Sequence, residues 1–234
     1  MTRVAAIDCG TNSIRLLVAD GHIGEDGRPH LADLTRQMRI VRLGQGVDAR
    51  GYLDPAAISR AVEATVEYQR MIEKLGATSI RFVATSATRD ASNSAEFVRQ
   101  IKAVIGVEPE VVVGTQEASL SFRGAVGGLG ESLPGPMLVV DIGGGSTELV
   151  LGSTSVKQAI SIDMGAVRVT EKFFTHVDPA GGVPAADQER AIAWIDEQLD
   201  IAEKSVDLAR VRSLVGVAGT VTTLTAQALG LTSY

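Results

Sequence analysis

Asp8-Cys9-Gly10-Thr11-Asn12-Ser13-Ile14-Arg15-Leu16 and Asp141-Ile142-Gly143-Gly144-Gly145-Ser146-Thr147-Glu148-Leu149 are two copies of one pattern, DxGxxSxxL, in a chain of 234 residues. Apolar runs precede each aspartate (4–7 and 137–140) and succeed each loop (16–19 and 149–151). Each copy therefore reads as a β-hairpin closed by a glycine-containing turn. A carboxylate at a strand end, glycines that let backbone N–H groups approach an anion, and a hydroxyl together suit phosphate and a divalent cation. One such turn is ordinary punctuation. Recurrence of aspartate, glycine, serine and leucine in register points to a duplicated chain whose two loops face each other as phosphate clamps.

Composition fits two lobes. The hydrophobic content of 45% provides for real cores, and with only 4% aromatic residues the packing rests on Val, Ala, Leu and Ile. Cys9 is the single cysteine, so no internal disulfide forms, and beside a buried strand end it reads as a small packed hydrophobe. No export signal is evident and no run is long enough to span a bilayer, which sets the cytoplasm as the expected compartment. The net charge of −6 argues against broad nucleic-acid binding. A polyanionic substrate would have to be held by local groups and metal. The histidines, His22, His30 and His176, are scattered and read as surface or loop residues, which argues against a histidine metal site or a Ser-His-Asp triad.

Strands and helices alternate. A third strand is expected over 31–43. Asp54-Pro55 reads as an N-cap with proline at the first helical position, opening a helix that stops at Gly76. Next come a buried strand over 80–84, a helix over 94–105, a strand over 110–113 and a helix over 115–126, so that the first lobe covers 1–126. Residues 127–136 are rich in breakers and read as the connection. The second lobe, 137–234, carries its own hairpin, a strand over 156–162, helices over 166–174 and 184–206, a strand over 214–218 and a helix from Gly219.

Taken together and in order, DCGTNSIRLL at the start, VATSATRDA from Val83, GTQEA from Gly114, VVDIGGGSTEL from Val139 and VGVAGTVTTLTA from Val215 resemble the exopolyphosphatase/guanosine pentaphosphatase (Ppx/GppA) phosphatase family. The resemblance implies an α/β chain of two ribonuclease-H-like lobes of the actin-like, sugar kinase and heat-shock ATPase superfold, each a mixed five-stranded sheet with flanking helices. It further implies Mg²⁺-assisted release of terminal phosphate from inorganic polyphosphate, from guanosine pentaphosphate, or from both, and admits a homodimer. The family's catalytic base falls on Glu117, its phosphate-binding arginine on Arg89, and its metal-associated carboxylates on Asp141 and Glu148. Gln116 and Thr11 stand where many members carry glutamate and serine. Family chains also continue past this point, so the second lobe is expected to be incomplete.

The residues themselves leave alternatives. Glu117 in the first turn of a helix also suits the helix dipole. Arg89 has the fork geometry for phosphate but has Asp90 and Glu96 nearby as ordinary partners. Asp141 and Glu148 at the two ends of one hairpin can share a Mg²⁺, with Asp8 as a second-shell or water-mediated ligand from the other lobe, or can be a turn aspartate and an exposed strand glutamate. Phosphate binding is expected from the backbone of Gly10, Thr11, Asn12 and Ser13 and of Gly143, Gly144, Gly145 and Ser146. Arg15 either adds charge or faces solvent, and Arg42 and Arg123 are further candidates for guiding a phosphate chain. Against the phosphohydrolase stand a small-molecule kinase of the same superfold and a non-catalytic polyphosphate or alarmone sensor.

Overall fold

The computed structural model describes residues 2–25, 27, 29–129, 133–175 and 182–232. His176 and residues 130–132 of the breaker-rich stretch lie outside the described residues. The chain divides into two compact units, Met1–Val112 and Val113–Tyr234.

In the first unit, β1 (Thr2–Cys9), β2 (Ser13–Ile23) and β3 (Pro29–Ile40) form an antiparallel meander, after which β4 (Ser79–Ala84) and β5 (Glu110–Val111) join in parallel. The strand order is β3-β2-β1-β4-β5. Alternation along β1 buries Ala5, Ile7 and Cys9 and leaves Ala6 and Asp8 exposed. The buried face packs with α2 (Pro55–Leu75) and α4 (Ser94–Ile105), and α1 (Val47–Arg50) and α3 (Ser86–Asp90) are short. The start of α2 is set by its cap: the Asp54 carboxylate accepts from the Ala56 N–H at 2.9 Å with Pro55 beside it, and Gly76 in the left-handed region ends the helix. Its buried stripe runs through Ala57, Ile58, Ala61, Ala64, Tyr68 and Ile72, and the Tyr68 hydroxyl donates to the Ile14 carbonyl at 2.9 Å, which satisfies the buried phenol.

The second unit repeats that topology. Strands β6 (Met137–Ile142), β7 (Thr147–Gly152) and β8 (Val156–Ile162) form the meander and β9 (Ser213–Val217) pairs in parallel with β6, in the order β8-β7-β6-β9. The family resemblance predicts five strands here; four are present among the described residues. Flanking helices are α5 (Gly114–Leu129), α6 (Ala166–Phe173), α7 (Ala185–Glu203) and α8 (Ala218–Ala228). Trp194 of α7 packs with Phe173, ring centroids 5.6 Å apart, and carries the Lys172 ammonium over its face at 4.3 Å.

The division of the chain differs from the expected one. Ala118 and Phe122 of α5 are buried against Val139 and Val150 of the second sheet. The apolar face of α5 therefore assigns the helix to the second unit, and the boundary falls at Val112/Val113, ahead of residues 127–136. His22 and His30 stand opposite each other on β2 and β3, their rings stacked 5.6 Å apart; they are surface residues as expected, carried on strands and not in a loop.

Candidate active site

The two loops are built alike. In the first, the Gly10 N–H donates to the Ser13 carbonyl at 2.9 Å, and in the second the Gly143 N–H donates to the Ser146 carbonyl at 3.0 Å. These two amides close the turns and are not available to an anion. The N–H groups of Thr11 and Asn12, and of Gly144, Gly145 and Ser146, donate to no acceptor among the described residues. Adjacent backbone donors without internal acceptors are the property of an anion nest.

The carbonyl side of each loop is held from outside it. Val41 and Arg42 both donate their N–H groups to the Asn12 carbonyl at 3.0 and 2.9 Å, and Gly44 donates to the Thr11 carbonyl at 2.8 Å. In the second unit, Val167 and Arg168 both donate to the Gly144 carbonyl at 2.9 and 3.1 Å, and Ala166 to the Gly143 carbonyl at 3.0 Å. The opening amides of α6, which have no partner within the helix, are thus satisfied by the loop. The Arg168 Nε donates to the Gly145 carbonyl at 2.9 Å. Gly165 makes this approach feasible: a Cβ there would lie 2.5 Å from the Gly144 carbonyl group.

The carboxylates separate the loops chemically. In register, Asp8 lies opposite Arg15 and Asp141 lies opposite Glu148. The first hairpin thus carries an opposite-charge pair at the position where the second carries two acids. Asp8 and Arg15 are exposed, and Glu148 is only 1% exposed. Ser121 of α5 donates its hydroxyl to Asp141 Oδ2 at 2.6 Å, and Ser161 of β8 donates to Glu148 Oε1 at 2.7 Å. Burial first, then the charges of Glu117 and Asp141, push the Glu148 carboxyl up to about 8 against the opposing bonds from Ser161 and Ser146. Glu117 stands in the first turn of α5. The GTQEA glycine has a packing role: a Cβ on Gly114 would fall 2.5 Å from the Ser161 Cβ, so the start of α5 sits directly on the serine that holds Glu148.

Among the described residues no three His, Cys, Asp or Glu side chains converge as a full metal cage. Asp141 and Glu148 are a partial, hard-oxygen set, the kind Mg²⁺ uses when water and phosphate oxygens supply the remaining ligands. A cation there would also offset the burial and the like charge that otherwise keep a proton on Glu148. The donor set therefore fits.

In the first unit, Arg89 Nη1 donates to the Val112 carbonyl at 3.1 Å and its Nε lies 3.7 Å from the Asp90 carboxylate, so the ordinary partner is present. The buried hydroxyls of Thr11 and Ser86 meet at 2.8 Å and fasten the first loop to α3, the helix that carries Arg89. Ser121, Ser161, Gly165 and Arg168 escaped the sequence reading. Ser121 lies one helical turn beyond Glu117 and Ser161 pairs in register with Glu148, so strand register was the missing signal for the latter.

Two meander-plus-parallel sheets, each opening on a loop with unpaired amides, define the actin-like fold class. A sequence profile of the Ppx/GppA phosphatase family matches residues 22–230. Exopolyphosphatase 2 of Mycobacterium tuberculosis is 47% identical over 239 residues, covering 100% of this chain and 73% of that protein. A crystal structure of an exopolyphosphatase-like protein superposes with a TM-score of 0.92 at 44% identity, covering 100% of this chain and 71% of the other. The Ppx/GppA family member of Aquifex aeolicus gives 0.73 at 31% identity over 100% of this chain and 71% of its own. The chain belongs to the Ppx/GppA phosphatase family and is a hydrolase. No helix among the described residues is long and apolar enough to cross a membrane.

Proposed function

We propose that this protein releases the terminal phosphate of linear inorganic polyphosphate by attack of water, with Mg²⁺ as cofactor and Glu117 as the base. The observation that carries the reading is that, within one unit, the charges of Glu117 and Asp141 both act on the buried Glu148, beside a loop whose Gly144, Gly145 and Ser146 amides lack internal acceptors. The M. tuberculosis relative, named for exopolyphosphatase activity, supports the substrate class.

Phosphoanhydride hydrolysis needs an oriented water and neutralisation of phosphoryl charge, mostly through positioning and electrostatics. Glu117 orients the water and accepts its proton. The amides of Gly144, Gly145 and Ser146 take phosphoryl oxygens. Asp141 and Glu148, oriented by Ser121 and Ser161, would hold Mg²⁺, which would supply positive charge to the phosphate oxygens. In the first unit, the amides of Thr11 and Asn12 and the Arg89 guanidinium are assigned to phosphate. Asp8, with Arg15 opposite, is the weakest of the three ligand candidates. A cytoplasmic location and a homodimer complete the reading, the latter open to analytical ultracentrifugation.

The test is Mg²⁺-dependent phosphate release from short polyphosphate and from guanosine pentaphosphate, comparing the protein with Glu117→Ala. A loss of at least about 100-fold in turnover is expected for the variant. Unchanged release would remove Glu117 from the chemistry, and preference for the nucleotide would replace the substrate. Tight binding with no release from either would turn the reading into a sensor.

A further inference from the structure

A Val-Arg dipeptide recurs beside each loop, Val41-Arg42 and Val167-Arg168, although the carbonyls they bond are one position apart in the two copies of the pattern. Each dipeptide lies beyond the third strand of its meander and sends both of its N–H groups to a single loop carbonyl, Asn12 in one unit and Gly144 in the other. The two arginines have diverged. The Arg168 side chain turns back and bonds the Gly145 carbonyl, bracing its own loop. Arg42 is exposed, and among the described residues its guanidinium makes no hydrogen bond or ion pair. Its backbone is also unusual, with φ at 49°, in the left-handed region that disfavours any residue bearing a Cβ. A glycine would sit there without cost, yet the position holds a long cation with its backbone fastened 2.9 Å from the loop whose Thr11 and Asn12 amides are unpaired. Strain retained at a position that carries charge and lies against an anion nest is a pointer to ligand binding.

We infer that Arg42 is a substrate-binding residue that ligates a non-reacting phosphate of the substrate at the first loop. This inference deepens the proposed function and rests on it. The guanidinium pairs with two phosphate oxygens beside the loop amides, contributes to binding of the chain and takes no part in bond cleavage.

The experiment compares the protein with Arg42→Gln, Arg42→Lys and Arg42→Gly. Three readouts are taken: KM and kcat for phosphate release from a long polyphosphate, tripolyphosphate affinity by calorimetry, and melting temperature. KM is expected to rise about tenfold in Arg42→Gln and Arg42→Gly, as the loss of one charge-assisted contact implies, with kcat within about twofold. Arg42→Lys should recover part of the loss, and Arg42→Gly should melt higher than the parent while binding worse. A residue that mattered only through its backbone would change the melting temperature and leave binding alone, so a higher melting temperature with unchanged KM and unchanged tripolyphosphate affinity overturns the inference. If the parent binds tripolyphosphate but releases no phosphate, the hydrolase reading fails while the calorimetric comparison still decides the role of Arg42.

Discussion

Among the described residues, Glu148 is the carboxyl whose ionisation the fold opposes most. The carboxyl is raised from the ordinary 4.5 to about 8 by burial and by its acidic neighbours, so between those values the fold keeps a proton that the unfolded chain has released. Its contribution to stability is complete below the unfolded value and is lost as the pH rises towards 8. Denaturation of the metal-free protein at a series of pH values should show stability falling across that window, and Glu148→Gln should flatten the fall. A slope unchanged in the variant would assign it to other groups. At this scale the sequence identified Asp141 and Glu148 as a pair because the hairpin spacing alone sets them opposite one another. Ser161 was invisible to it, because a serine on a third strand gains meaning only through register.

Among the elements, the junction between the glycine loop and α6 is the most sensitive. Gly165→Ala would drive a methyl into the Gly144 carbonyl, and relief requires the loop or the helix to shift. We expect a loss of about 1–3 kcal/mol in urea unfolding, together with weaker phosphate binding, since the same shift turns the loop amides away from their nest. Loss of stability with phosphate binding intact would separate the packing from the loop geometry. The elements also show what sequence patterns carry well. The bounds of α2 were legible from Asp54, Pro55 and Gly76, each of which has one physical job. The buried stripe of α2 is less so: the large apolar residues of the helix include Val62 and Val66, which are only half-buried, while alanines and Tyr68 fill the core face. The placement of α5 is hard to read for a related reason: the breakers at 127–136 are conspicuous in sequence, whereas the attachment of a helix is decided by the contacts of Ala118 and Phe122.

Over the whole molecule, the duplication has kept the architecture and divided the charges. One hairpin has an aspartate facing an arginine and the other an aspartate facing a glutamate, so demand for a cation is concentrated in the second unit. Magnesium at about ten times its dissociation constant should raise the melting temperature by about 3–5 °C. Asp141→Asn should abolish most of that rise, and Asp8→Asn should keep it. Equal losses in both variants would mean that the first unit shares the cation.

The distribution of two rare side chains has a practical consequence. The chain has one cysteine and one tryptophan, and they lie in different units. Cys9 is sealed in the first core at 1% exposure, its thiol held well above the usual range by burial and the Asp8 charge, so a thiol reagent can reach it only when that core opens. Trp194, between Phe173 and Lys172, reports on the second through its emission. The natural protein therefore carries a separate chemical and optical probe for each half. Labelling rate and fluorescence, tracked in one denaturant series, would tell whether the two halves come apart together or in turn, with no residue added or removed.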